Sequence, residues 1–300
     1  MSVKREDVEY WSGGARIRGW FYPAADQPAP AIVFCPGFTG TKYAAFYVPY
    51  IERLVEAGWN VLLADYRGWG ESEGPRGEIV PLRQVADIRA GLTFLETRPE
   101  VDARALSVFG VSFGGGEATY AAGLDDRIRC CIAVSPVSDG GEWLRQMRRE
   151  YEWYELLEDI KADEQNRIRG LAPKSVPPAD GIMIPTPERR STTIKGNIPA
   201  GMVPDSTPLW CAREIIDFRP VDVAHRIAPG ALLLFNVSRD PVVPPEHTRD
   251  IYERALEPKR LVPLDGSAHY GAYLEHFETI SRISLDWLRS HGRNTPSSVS

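Results

Sequence analysis

The stretch Ala105-Leu106-Ser107-Val108-Phe109-Gly110-Val111-Ser112-Phe113-Gly114-Gly115-Gly116 decides how the rest of the chain is read. Its first five residues form an apolar, β-like run, and the residues after Gly114 suit the start of a helix. Between them lies G-x-S-x-G, in the strand–turn–helix setting that gives this pattern a mechanism. So tight a turn requires neighbours without side chains, which Gly110 and Gly114 provide, and a strained backbone at Ser112 itself. The strain is expected to lift Ser112 Oγ clear of the sheet and to turn the Phe113 N–H toward the same space.

The flanking sequence supports that setting. Strand-type runs at 31–35, 60–65, 105–109, 128–134, 231–237 and 260–264, those at 31–35 and 128–134 of the buried type, alternate with helical patterns near 43–57, 80–97, 115–122, 245–256 and 273–290. A further helix is expected near 221–227, and a hairpin over 7–22 turns at Ser12-Gly13-Gly14. Alternation of this kind predicts an α/β fold with a mainly parallel central sheet flanked by helices. The rhythm fails from 138 to 212. There 143–168 has aromatic and charged residues at helical spacing, and 171–210 holds Pro173, Pro177, Pro178, Pro185, Pro187, Pro199, Pro204 and Pro208. Prolines at that density predict a stiff covering segment without regular helix or sheet. The expected organisation is a core of 1–137 and 213–292, an inserted cap at 138–212, and a disordered tail at 293–300.

A serine hydroxyl needs a base to take its proton and a third group to hold that base. Parallel sheets bind ligands beyond the carboxyl ends of their strands, so both partners should come after later strands. His269 meets this condition in the short loop 265–269, whereas His225, His247, His276 and His291 fall in or near helices or in the tail. Asp240 comes directly after its strand; its other reading is a turn aspartate capping the next helix, with Asp265 and Asp139 as rivals for the acid. The Phe113 N–H and the Phe38 N–H, after the break at Pro36-Gly37, are the expected oxyanion donors. Arg67, Glu71 and Ser72 in the glycine-rich loop 65–74 read better as a brace for the elbow than as site residues. Trp143, Tyr151, Trp153, Tyr154, Met183 and Trp210 are candidates to wall an apolar pocket, although aromatics at this spacing also serve plain packing.

Bulk properties narrow the partners. The chain has 300 residues, 43% of them hydrophobic, and a net charge of −6. Its lysines and arginines are scattered, which disfavours nucleic acid and anionic membrane surfaces. No apolar run reaches membrane-spanning length and no signal peptide opens the chain, so a cytoplasmic protein is expected. Cys35, Cys130, Cys131 and Cys211 lack metal-type spacing and read as buried free thiols. No metal or cofactor is required by this chemistry. The expected partner is a small acyl substrate, though exposed cap aromatics could instead serve a contact between copies of the chain.

On these residues the chain resembles the α/β-hydrolase superfamily over about 7–290. The order Ser112, Asp240, His269 matches that family's nucleophile, acid and histidine. The segment 65–74 is similar to the corresponding loop of cocaine-esterase, acyl-peptidase and dienelactone-hydrolase-like members. Two departures stand out: Cys35-Pro36-Gly37 replaces the His-Gly that many members carry before the oxyanion donor, and Ser112 stands where dienelactone hydrolases use cysteine. The resemblance implies an α/β-hydrolase fold and a serine hydrolase that cleaves carboxylic esters through an acyl-enzyme. Cleavage of a C–C bond in a β-diketone or ring-fission product, amide or peptide hydrolysis, and an inactive ligand-binding homologue are the alternatives.

Overall fold

The computed structural model describes residues 3–186, 198–266 and 268–293. The expected disordered tail lies outside these from residue 294 onward; Arg293 is described and sits over the Trp59 ring.

The apolar runs between 31 and 237 become strands covered on both faces, whereas the edge run at 260–264 exposes Arg260 and Pro263. β1 (Glu6–Ser12) and β2 (Ala15–Tyr22) form the expected hairpin, with β3 (Ala29–Cys35), β4 (Asn60–Ala64), β5 (Val101–Val111) and β6 (Ile128–Val134) after it. The two-residue strands β7 (Ser175–Val176) and β8 (Thr207–Pro208) pair with each other, and β9 (Ala231–Val237) and β10 (Lys259–Leu264) complete the main sheet. Its order is β1-β2-β4-β3-β5-β6-β9-β10, antiparallel at β1–β2 and β2–β4 and parallel from β4 onward.

Side chains alternate across this sheet, so each continuous run feeds two cores. Ala31, Val33, Cys35, Leu232 and Leu234 face one side, where they meet α2 (Pro81–Glu96) and α3 (Phe113–Ala122). Ile32, Phe34, Leu233, Phe235 and Val237 face the other. There α1 (Val48–Glu56) contributes Tyr50, Ile51 and Leu54. The four cysteines are all buried and unpaired, and the adjacent Cys130 and Cys131 point to opposite cores.

The connection from β6 to β9 carries α4 (Gly140–Gln146), α5 (Glu150–Ile168) and α6 (Cys211–Ile216); α7 (Pro245–Arg254), α8 (His269–Glu275) and α9 (Phe277–His291) come after β9. Trp143, Leu144, Ile160, Met183 and Ile215 from this connection join the same core cluster as α2 and α3.

Several expected elements differ in detail. The 43–57 helix is a 3-10 turn, Ala45–Tyr47, running into α1, with Pro49 in the first turn where its missing N–H costs nothing. The 143–168 pattern is two helices. It breaks before α5, where the Glu152 carboxylate accepts the Arg149 N–H at 2.8 Å and sets a new helix start. In place of a helix at 221–227 there are two 3-10 turns, Pro220–Asp222 and Ala224–Arg226. The proline-rich stretch does hold regular structure: β7 pairs with β8, and a π-turn spans Pro178–Ile182. Pro208 is tolerated because a two-residue ladder needs few donors. His269 is not a loop residue but the first residue of α8.

Candidate active site

The elbow is as tight as its glycines imply. A Cβ on Gly110 would lie 2.2 Å from the Gly114 carbonyl oxygen, and one on Gly114 would lie 2.1 Å from that of Pro36. Ser112 takes φ 55° and ψ −127°, a region that side chains avoid unless the surroundings enforce it. The enforcement comes from both sides: Ser112 N–H donates to the Val134 carbonyl at 2.8 Å, and Gly115 N–H donates back to the Ser112 carbonyl at 2.9 Å.

The loops after β5, β9 and β10 bring three side chains together at the carboxyl edge. His269 Nε2 lies 3.0 Å from Ser112 Oγ, and His269 Nδ1 lies 2.5 Å from Asp240 Oδ2. All three are buried. Asp240 is fully engaged. Its Oδ2 also accepts the Ser135 hydroxyl at 2.9 Å, and its Oδ1 accepts the Val242 and Val243 amides at 2.8 Å each. The turn-capping role and the imidazole contact are therefore held by one carboxylate, one oxygen for each. A carboxylate at Nδ1 assigns the proton there and leaves the Nε2 lone pair facing the serine. The rivals lie elsewhere: Asp139 caps α4 by accepting the Glu142 N–H, Asp265 is exposed, and His247 is buried against Ser138.

Beside Ser112, Gly37 approaches so closely that a Cβ would sit 3.4 Å from that of the serine. Gly37 N–H donates to the Tyr47 hydroxyl at 3.1 Å, and Gly40 N–H closes the loop onto the Gly37 carbonyl at 2.7 Å. Thr39 is left-handed, with φ 57°. Among the described residues neither the Phe38 N–H nor the Phe113 N–H has a protein acceptor, the second because it opens α3. Their rings meet edge to face at 5.5 Å, and both pack on Trp143.

Ser112 and His269 open into a cleft that holds about 650 Å³, its mouth included. Ala44, Phe46, Tyr47, Met183, Ile198 and Tyr270 form its apolar walls. Of the residues expected to wall a pocket, only Met183 lines this cleft. Trp143 is wholly buried beneath it, and its indole N–H donates to the Val242 carbonyl at 2.8 Å, bracing the turn that holds Asp240. Tyr151 and Tyr154 point to solvent from α5. Trp153 is only partly buried, and Trp210 packs against the core near Arg167. Helical spacing shows that a face is apolar but not what that face meets.

The polar side chains of the loop 65–74 form a network that reaches Lys42, Asp87 and Ser12 rather than the elbow itself. Asp65, with no side-chain exposure, binds Lys42 Nζ at 2.7 Å and accepts the Lys42 and Glu71 amides. Lys42 Nζ also meets Glu71, and Arg67 pairs with Asp87 and Ser12. Ser72 Oγ donates to the Asp65 carbonyl. Three site residues escaped sequence reasoning: Ser135, Tyr47 and Tyr273, whose hydroxyl lies 3.3 Å from His269 Nε2. Only Tyr273 had a readable signal, being one helical turn after His269.

This geometry agrees with what the chain is similar to. A family model described as alpha/beta hydrolase fold matches residues 30–275. The chain belongs to the α/β-hydrolase family. This α/β hydrolase is 29% identical over 307 aligned residues to the polyketide transferase grgF of Penicillium sp, covering 97% of this chain and 98% of that one. It is 28% identical over 290 residues to a thiohydrolase of Eupenicillium brefeldianum, covering 88% and 87%. The crystal structure of the α/β hydrolase GrgF from Penicillium sp. sh18 superposes with a TM-score of 0.82 at 28% identity, covering 96% and 99%. Among the described residues of this α/β hydrolase, no helix is long and apolar enough to cross a membrane, and no group of His, Cys, Asp and Glu is placed to hold a metal ion.

Proposed function

We propose that this α/β hydrolase cleaves carboxylic esters of apolar acids through an acyl-enzyme on Ser112. The observation that carries the reading is the unbroken relay from Ser112 Oγ to His269 to Asp240, at 3.0 and 2.5 Å, opening into an apolar cleft beside two amides that have no acceptor among the described residues. Ser112 Oγ attacks the carbonyl carbon as His269 Nε2 takes its proton, and Asp240 stabilises the imidazolium. The carbonyl oxygen, now negative, is held by the Phe38 and Phe113 amides, each worth roughly 3 kcal/mol in such sites. The proton on Nε2 then passes to the departing alcohol, and water repeats the sequence to release the acid. The insertion at 138–212 serves as the cap, with Met183 reaching over the acyl group.

A second reading exchanges the ester for a thioester. It is favoured by the relatives named thiohydrolase and polyketide transferase. The same relay serves both, since only the leaving atom differs.

A fluorophosphonate probe should label the protein at Ser112, and Ser112→Ala should abolish both labelling and nitrophenyl ester turnover, the latter by about 10⁴-fold or more. Turnover that survives the alanine substitution would sink the proposal. Matched oxygen and sulfur esters of one acid then separate the two readings.

A further inference from the structure

His269 Nε2 is approached by two hydroxyls, Ser112 Oγ at 3.0 Å and Tyr273 Oη at 3.3 Å. A neutral imidazole whose Nδ1 proton faces Asp240 offers one lone pair at Nε2, and the acyl-transfer mechanism assigns it to the serine. Tyr273 is thus a second donor at an atom that can fully satisfy only one.

The ring is firmly placed. The Tyr50 hydroxyl donates to the Tyr273 carbonyl at 2.6 Å, Phe46 stacks on the ring at 5.4 Å, and the ring meets His269 edge to face at 5.4 Å. Tyr273 lines the cleft, and among the described residues its hydroxyl has no partner besides Nε2. Burial pushes the phenol well above its ordinary pKa, so it remains a proton donor throughout the working range.

When Nε2 takes up the serine proton, its lone pair is gone and the tyrosine O–H loses its acceptor. The leaving oxygen must then sit within hydrogen-bond reach of Nε2, which brings it close to a hydroxyl 3.3 Å from that nitrogen. We propose that the Tyr273 hydroxyl donates a hydrogen bond to the departing oxygen, which suits the site to esters of alkyl alcohols. This role rests on the acyl-enzyme reading of Ser112. As the tetrahedral intermediate collapses, the C–O bond breaks and its electron pair stays on the alcohol oxygen. The Nε2 proton moves to that oxygen, while Tyr273 keeps its own proton. A strongly basic alkoxide gains much from such a bond; nitrophenolate, which carries its charge unaided, and a thiolate, a poor acceptor, gain little.

The test compares kcat/KM for the ethyl and 4-nitrophenyl esters of one acid in wild type and Tyr273→Phe. The expected loss is about 30-fold on the ethyl ester and about three-fold on the nitrophenyl ester. Equal losses, or none, overturn the role, since a merely structural tyrosine would not distinguish leaving groups. Wild type alone gives a second check. Its rates across alkyl, phenyl and nitrophenyl esters should vary shallowly with leaving-group basicity, and a steep dependence overturns the proposal. Fluorophosphonate labelling keeps the two ideas apart: labelled protein with unselective losses removes only the tyrosine's role, whereas wild type that is not labelled at Ser112 removes the acyl-enzyme itself.

Discussion

Gly114 fixes two parts of the candidate site at once. The hydrogen that stands where other residues have a Cβ lets α3 press against the end of β3; a Cβ would meet the Pro36 and Cys35 carbonyl oxygens at 2.1 and 2.5 Å. Backbone cannot swing away as a flexible side chain would, so Gly114→Ala must push the 36–41 loop outward and carry the Phe38 amide with it. Overpacking of this kind costs about 2–3 kcal/mol. Displacing one oxyanion donor costs about 100-fold in kcat. Urea unfolding and ester turnover of the variant measure the two effects separately; wild-type values in both would mean that the elbow is looser than its geometry. The elbow, Asp240 and His269 were readable in the sequence because chemistry and strand ends restrict where such residues stand. Ser135 was not, since a serine after a strand has many uses and only the fold brings its hydroxyl to Asp240.

The strands were readable for a similar reason: an uninterrupted apolar run has few fates in a chain of this composition, and two-faced burial is one. Helix ends were less so, because the break before α5 depends on one carboxylate–amide contact that periodicity does not register. α3 holds a further feature hidden from the sequence. Glu117 has no exposure, and among the described residues neither carboxyl oxygen makes a well-aligned hydrogen bond, nor does the facing Tyr66 hydroxyl. Burial raises its pKa well above the ordinary 4.5, an effect that attraction to Tyr66 only partly offsets. Glu117 therefore holds its proton to higher pH in the folded chain than in the unfolded one, so its contribution is complete below pH 4.5 and is lost as pH rises toward the folded-state value. Each pH unit in that window costs about 1.4 kcal/mol. Glu117→Gln, which keeps the shape and removes the ionisation, should flatten the dependence of stability on pH above about pH 5, and should be the more stable protein as pH rises. Urea midpoints of both proteins across that range decide it, and parallel curves would show that the glutamate ionises freely in place.

At the scale of the whole molecule the cleft is a composite. Residues 37–47 bring the oxyanion loop and an aromatic wall, 111–112 the nucleophile, 269–273 the base and its tyrosine neighbour, and the β6–β9 connection brings Met183 and Ile198. The first three are tied to strand ends and were foreseeable from the α/β rhythm. The fourth was not: which of Trp143, Tyr151, Tyr154, Met183 and Trp210 would meet the cleft depends on how a proline-rich path folds back, and helical spacing fits a solvent-facing tyrosine as well as a wall. Met183, 2% exposed, packs with both the core and the cleft, so its bulk should set how long an acyl chain fits. Met183→Trp would fill that end of the cleft while leaving the relay alone. A pocket that loses room for methylenes discriminates by about ten-fold for each group it can no longer seat. The ratio of kcat/KM for octanoyl to acetyl nitrophenyl esters should therefore fall by about ten-fold or more in this variant, with acetyl turnover retained. If both esters slow together, the acyl chain runs toward Tyr270 rather than Met183, and the connection does not select the substrate.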